Sequence, residues 1–202
     1  LLDWLAVNLV QNGYDLKRTM NLLLTSKAYQ RPSVPLDPDI DADEYVFKGP
    51  VVRRLSAEQF LDGLEQVILA AGAETGWPAE RGTGKQRAGL RKIDHLMRTL
   101  GRTKRDVVVT QRESTATTAQ LIELSNGRAL AGMLTRGGKA WVDSGLDSGP
   151  MIDSLFSNAV GRRPSGSEKR SAQEIIGSPA TAQGLEDLLW MLAMHPDFQL
   201  IH

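Results

Sequence analysis

Apolar residues recur every three to four positions through most of this chain, which is the signature of helices packed by one face. Leu1, Leu5 and Leu9 repeat beside Leu2, Ala6 and Val10, predicting a helix from about Leu1 to Gln11 that stops at Gly13. Asp15 is placed to cap a second helix, whose apolar stripe is Leu16, Met20, Leu23 and Leu24. The connection is short, so the two helices should form an antiparallel hairpin. The sharpest helix start is Leu55-Ser-Ala-Glu-Gln-Phe60. Ser56 and Gln59 form a capping box there, and Leu55 and Phe60 a hydrophobic staple. Phe60, Leu64, Val67, Ile68 and Ala71 line one face of that helix, and Gly72 closes it.

Arg87 to Leu100 reads as a basic amphipathic helix with Leu90, Ile93, Leu96, Met97 and Leu100 on its apolar face. Thr117 to Gln120 is a second capping box, opening Leu121-Ile122-Glu123-Leu124, and Asn126-Gly127 reads as a cap and bend. Pro150 takes a first helical position ahead of Ile152, Leu155, Phe156, Ala159 and Val160, and Gly161 ends that helix. Ser165 to Glu168 is a third capping box, for a helix reaching Gly177. The last helix carries Leu185, Leu188, Leu189 and Leu192 and halts at His195-Pro196. Val107 to Val109 is the only β-branched run, too short for more than an extended strip.

The class is therefore all-α: a single irregular bundle over residues 1–202, of about seven or eight helices with long connecting loops. Trp4, Leu23, Phe60, Leu64, Leu124, Phe156 and Leu189 sit on successive apolar faces and are expected to share one core. A helical period is already under way at Leu1, so the chain is expected to be the C-terminal piece of a longer protein.

Composition mainly removes chemistries. The chain is 41% hydrophobic and 24% charged, as in ordinary soluble globular proteins. It has no cysteine, which excludes disulfides, zinc–thiolate sites, iron–sulfur clusters, thiol nucleophiles and c-type haem attachment within these residues. No cofactor is expected in this segment. No run approaches the roughly 20 apolar residues that span a bilayer. Lys plus Arg equals Asp plus Glu at 24 each, so no net field draws nucleic acid, and none is expected as a partner.

Four local patterns bear on possible chemistry. Asp37-Pro-Asp39-Ile-Asp41 has the opening spacing of a calcium loop, but Ala42 and Lys48 stand where Gly and Glu are required. It reads as a solvated acidic loop. Gly82-Thr-Gly84-Lys85 lacks the earlier Gly, the following Ser or Thr and the preceding strand of a phosphate-binding loop. His95, His195 and His202 have no metal-ligand spacing. Ser165-Gly-Ser167 reads as a helix cap, not a nucleophile elbow.

Charge distribution is the one strong asymmetry. Residues 81 to 105 hold nine Lys or Arg against a single acid, Asp94. The candidate anion site is Arg54, Glu58, Arg98, Arg102, Arg105 and Arg112. It would hold phosphate or sulfate groups, an anionic glycan or an acidic protein. No aromatic residue is interleaved across 81–112, which argues against a base-stacking platform. The plainer reading is a solvated face whose cations pair internally with the acidic loop at 37–44. Arg54 and Glu58 have two readings of the same kind. Glu58 in a first helical turn complements the dipole, and Arg54 could reach the cap or Asp62; alternatively the two form a ligand clamp.

Several blocks carry a family likeness. Leu-Leu-Asp3-Trp4-Leu-Ala, then Tyr14-Asp15-Leu-Lys17 and Ser26-Lys-Ala-Tyr29-Gln, open the chain. Arg53-Arg54-Leu-Ser-Ala-Glu58-Gln-Phe60 follows, then Leu100-Gly-Arg102-Thr-Lys-Arg105-Asp106, Thr117 to Gln120 and Leu124-Ser-Asn126-Gly127. Gly161-Arg162-Arg-Pro164, Glu186 to Trp190 and His195-Pro-Asp197-Phe198 complete the series. In order and across essentially the whole chain, these resemble a Planctomycete-type domain of unknown function, the PSD-one family. Met194-His195 departs from the Asn-Ser usual before the final Pro.

The resemblance implies context more than activity. Such domains sit near the C-terminus of large exported proteins, after a c-type-haem-like segment and another domain of unknown function, often among polysaccharide-degradation genes. No catalytic residues come with the family. The leading expectation is a non-catalytic helical module of an exported protein, at the periplasm or cell surface, assembling with other domains of its own chain or binding a partner. The competing one is a substrate-holding or catalytic domain for acidic or sulfated polysaccharide. A concave pocket joining Glu58, Arg102 and Arg112 would favour the second, and a flat exposed apolar patch the first.

Overall fold

Short polar signals start most of the helices. Ser56, Thr117 and Ser165 each accept the backbone N–H three residues on, and Gln59, Gln120 and Glu168 return the bond to the cap's own N–H. Asp15, Asp94 and Thr181 cap helices by the forward bond alone. The computed structural model describes residues 1–35, 46–70, 87–104 and 116–201. Among them strand is confined to Arg53–Arg54 and Leu200–Ile201, so the all-α class holds. The backbone groups into two compact units, Leu1–Arg53 and Arg54–Ile201.

In the first unit, α1 (Leu2–Gln11) and α2 (Leu16–Leu24) form the expected hairpin. The reversal is a Schellman turn: Tyr14 N–H bonds to Leu9 O at 2.9 Å and Gly13 N–H to Val10 O at 3.0 Å. Gly13 at φ +65° and Tyr14 at φ +62° make the left-handed step that the turn requires. Beyond the hairpin, Val34 pairs with Val51 in a parallel bridge. Neither helix contains a buried residue. Trp4 is 56% and Leu23 42% exposed, so these two do not belong to the shared core expected from their spacing. Two helices of 10 and 9 residues present apolar stripes but are too small to enclose them.

The second unit holds the core. It comprises α3 (Ala57–Leu69), α4 (His95–Thr99), α5 (Thr118–Asn126), α6 (Arg128–Asp143), α7 (Ser148–Val160), α8 (Gly166–Ile176), α9 (Ala182–Met194) and the single turn α10 (Pro196–Gln199). Phe60, Leu64, Leu124, Phe156 and Leu189 share its one buried cluster, as expected. Trp141 on α6 is wholly buried and donates its indole N–H to Val67 O at 3.1 Å, locking α6 to α3. Phe60 meets Phe198 edge-to-face at 5.5 Å, joining α3 to α10.

No clear apolar period signals the central helix α6. Gly132, Gly137 and Gly138 dilute its apolar period and its propensity. Two of these are packing residues against α9. A Cβ on Gly137 would lie 2.8 Å from Leu189 Cδ1, and one on Gly138 would strike Ala182 O and Glu186 N. Absence of side chains lets the two backbones approach.

Two further departures have local causes. The expected helix over Arg87–Leu100 is a 3₁₀ turn at Ala88–Leu90 followed by α4. Asp94 interrupts it by capping Met97 N–H at 2.7 Å, and Leu90, on the expected apolar face, is exposed. Helix α7 begins at Ser148, two residues before Pro150, which still lies in the first turn, where its missing N–H costs nothing. Gly161 ends that helix in the left-handed conformation. Gly72, the acidic loop, Gly82 to Lys85 and the three-valine run lie outside the described residues.

Candidate functional site

The capping box at Ser56 fixes where α3 starts, and the start fixes which residues share a face. Glu58, Asp62 and Glu65 recur at i, i+4 and i+7, forming an acidic stripe along the helix. Each faces an arginine of the basic stretch. Arg102 Nε lies 3.5 Å from Glu58 Oε1, Arg87 Nε 3.4 Å from Asp62 Oδ2, and Arg91 Nη1 2.8 Å from Glu65 Oε1. Asp62 also accepts the Ala88 N–H at 2.7 Å, which seats the 3₁₀ turn against α3. Arg87, Arg91 and Arg102 thus find internal partners on α3, whereas the acidic loop of the plainer reading lies outside the described residues.

Arg102 is the centre of this arrangement. It is 7% exposed. Nη1 donates to Ala88 O at 2.6 Å and to Met97 Sδ at 2.8 Å, and Nη2 to Gly89 O at 2.9 Å. One planar guanidinium ties the 3₁₀ turn, α4 and α3 together, which a flexible ammonium could not do at these angles.

Arg54 does a similar job further along. Its Nη1 donates to Gln120 Oε1 at 3.1 Å, the oxygen that also accepts Thr117 N–H in the α5 capping box. Arg54 therefore reaches α5, whereas the carboxylate of Asp62 serves Ala88 and Arg87. The Arg-Arg-Leu-Ser-Ala-Glu block is connected to the Leu-Gly-Arg block through Glu58 and to the Thr-Thr-Ala-Gln block through Arg54.

Of the candidate anion residues, the structure brings together Glu58 and Arg102 as an ion pair and places Arg54 on α5's cap. Arg98 is exposed in the last turn of α4, where a cation complements the helix dipole. Arg105 and Arg112 lie outside the described residues. Among the described residues no group of three His, Asp or Glu side chains is placed to hold a metal ion, and no helix is long and apolar enough to cross a membrane.

A second charged cluster carries no site signal in the sequence. Arg162, just after α7, grips Glu168 with both terminal nitrogens, at 3.0 and 2.8 Å, and reaches Asp197 through Nε at 3.1 Å. The guanidinium, with the Ser165 N–H and hydroxyl, holds the Glu168 carboxyl down to about 2. The same two carboxylates raise Arg162 further above its already high value. His195 Nδ1 accepts the Asp197 N–H at 3.1 Å, and its Nε2 lies 3.9 Å from Glu168 Oε1. The cluster fastens the α7–α8 connection to α10. The Gly-Arg-Arg-Pro and His-Pro-Asp-Phe blocks contain Arg162, His195 and Asp197, but 35 positions separate Arg162 from Asp197, and no local spacing joins them.

No curated protein and no solved structure matches the chain. A family model does match, over residues 1–76, which contain α1, α2, the Ser56 cap, Arg54 and the acidic stripe of α3. Over that segment the chain is similar to the family PSD1, described as a protein of unknown function (DUF1553).

Proposed function

We propose that this chain is a non-catalytic helical module that assembles with other protein, first of all other domains of its own polypeptide, through the apolar face of the α1–α2 hairpin. The observation that supports it is the hairpin's surface. Trp4, Val7 and Val10 form one stripe along α1, Leu16 and Met20 begin another on α2, and all five are more than half exposed. A run of this kind on a soluble chain is characteristic of an interaction site. Glu58 and Arg102, which the competing enzymatic reading placed at a pocket, are joined in an ion pair that belongs to the fold. Export of the parent protein is part of the same proposal and follows from the family likeness.

The test is association in trans. The chain and the remaining part of its polypeptide are purified separately, mixed, and sized by light scattering. A complex is expected, and Trp4→Asp with Met20→Asp should abolish it while leaving the helical circular dichroism intact. Failure to associate, or association indifferent to the double substitution, would overturn the proposal.

A further inference from the structure

Trp190 breaks the pattern of α9. Leu185, Leu188, Leu189 and Leu192 are buried, whereas Trp190 keeps 42% of its surface exposed. The indole is nonetheless held, because Nε1–H donates to Leu124 O at 3.1 Å and pins the ring against α5. A cleft of about 250 Å³ lies on its α5–α6 side, lined by Leu124, Leu130, Leu134, Glu186 and Asp187 among others. A more open depression lined by Ile175, Asp187 and Met191 lies on its α8 side. Trp190 lines both, so the ring stands as a wall between two recesses.

The charge of these recesses is one-sided. Among the described residues their linings contain two carboxylates, Glu186 and Asp187, and no cation. The hydrogen bond described for Asp187 comes from a neutral group, Gln183 Nε2, at 3.0 Å. The apolar surface also extends beyond the cleft. Leu121 and Ile122, both exposed, precede the lining residue Ser125 by one turn of α5.

We infer that the Trp190 wall docks a peptide segment of a partner protein in which a Lys or Arg adjoins a bulky apolar side chain. The cation lies on the indole face, where the ring quadrupole attracts it. Its N–H groups donate to Asp187 and Glu186, making charge-assisted hydrogen bonds to two carboxylates of the described lining. The neighbouring apolar side chain covers the Leu124, Leu130 and Leu134 floor. An acidic peptide meets two like charges and is repelled. This inference does not depend on the α1–α2 face.

The test uses the whole chain labelled with ¹⁵N, with Trp190→Phe serving only to identify the Trp190 indole N–H signal. The probe is the peptide acetyl-Arg-Leu-Arg-Phe-Arg-amide. The comparisons are the same peptide with Glu in place of Arg, and cellohexaose as a neutral glycan that also stacks on tryptophan. The basic peptide should shift the Trp190 signal saturably. Glu186→Gln with Asp187→Asn should weaken it about tenfold, with the remaining spectrum unchanged. Asp187→Asn alone, at an exposed position, should weaken it by a smaller factor. Absence of a shift at millimolar peptide would overturn the inference. So would equal binding of the acidic peptide, binding untouched by the carboxylate substitutions, or a saturable cellohexaose response stronger than that of the peptide.

Discussion

Glu58 Oε1 and Arg102 Nε face each other at 3.5 Å, with side chains 16% and 6% exposed, on the seam between α3 and the turn after α4. Removing the guanidinium would take a buried partner from the carboxylate, the side-chain donor from Ala88 O and the described donor from Gly89 O. Arg102→Ala should therefore cost about 3 kcal/mol in urea denaturation. Arg102→Lys should recover only part of this, because one ammonium cannot reach acceptors on opposite edges of a guanidinium plane. A loss below about 1 kcal/mol for the alanine variant would mean that the pair is an incidental surface contact.

The Ser56 hydroxyl accepts Gln59 N–H at 3.3 Å, and Gln59 Oε1 accepts Ser56 N–H at 2.9 Å. Ser56→Ala leaves the first of these donors unserved and should destabilise by about 1 kcal/mol in the same assay. Gln59→Ala should act on the other half of the box and cost less.

Two glycines of α6 should respond to alanine with opposite sign. At Gly132 the nearest atom to a new Cβ is the mobile end of Arg136, at 3.7 Å. Gly132→Ala should raise stability by about 0.5–1 kcal/mol through helix propensity. At Gly138 the Cβ would meet backbone of α9, so Gly138→Ala should lower stability by about 1–3 kcal/mol or more despite the same gain in propensity. Thermal melts of the two variants side by side would read the contrast directly.

The Arg162 cluster should give stability an acid limb. Glu168 is held down to about 2 in the folded protein, from an ordinary value of 4.5. It therefore binds its proton less readily folded than unfolded, and its contribution is present above the ordinary value and lost as pH falls toward the folded one. The difference in melting temperature between the wild type and Arg162→Ala should be constant near neutrality and narrow below about pH 4.5. A gap that stays constant down to pH 3 or widens on acidification would contradict the assignment.

Local chemistry made much of this fold legible. Three capping boxes, the Asp15 cap and the Gly161 stop are read within four or five residues of sequence, and all five stand in the structure. What was not legible depends on distance. Helix α6 is held by glycines whose value lies in how closely α9 approaches, and sequence propensity counts them as a cost. The stripes bearing Trp4 and Leu23 are indistinguishable from core stripes until the size of their unit is known. From the basic stretch alone the partners of Arg102, Arg87 and Arg91 could not be named, because Glu58, Asp62 and Glu65 are far away in sequence. Their i, i+4, i+7 spacing was the signal available, and it points to an arginine-bearing neighbour only once α3 is known to face one.

Hydrogen exchange tests the assembly account most directly. Amide protection of residues 2–24 is measured in the chain alone and in the full polypeptide proposed to contain it. If the α1–α2 face is a docking surface, the amides of α1 and α2 should exchange markedly more slowly in the full polypeptide, while those of α6 and α9 exchange alike in both. Equal exchange of α1 and α2 in the two samples would contradict the account.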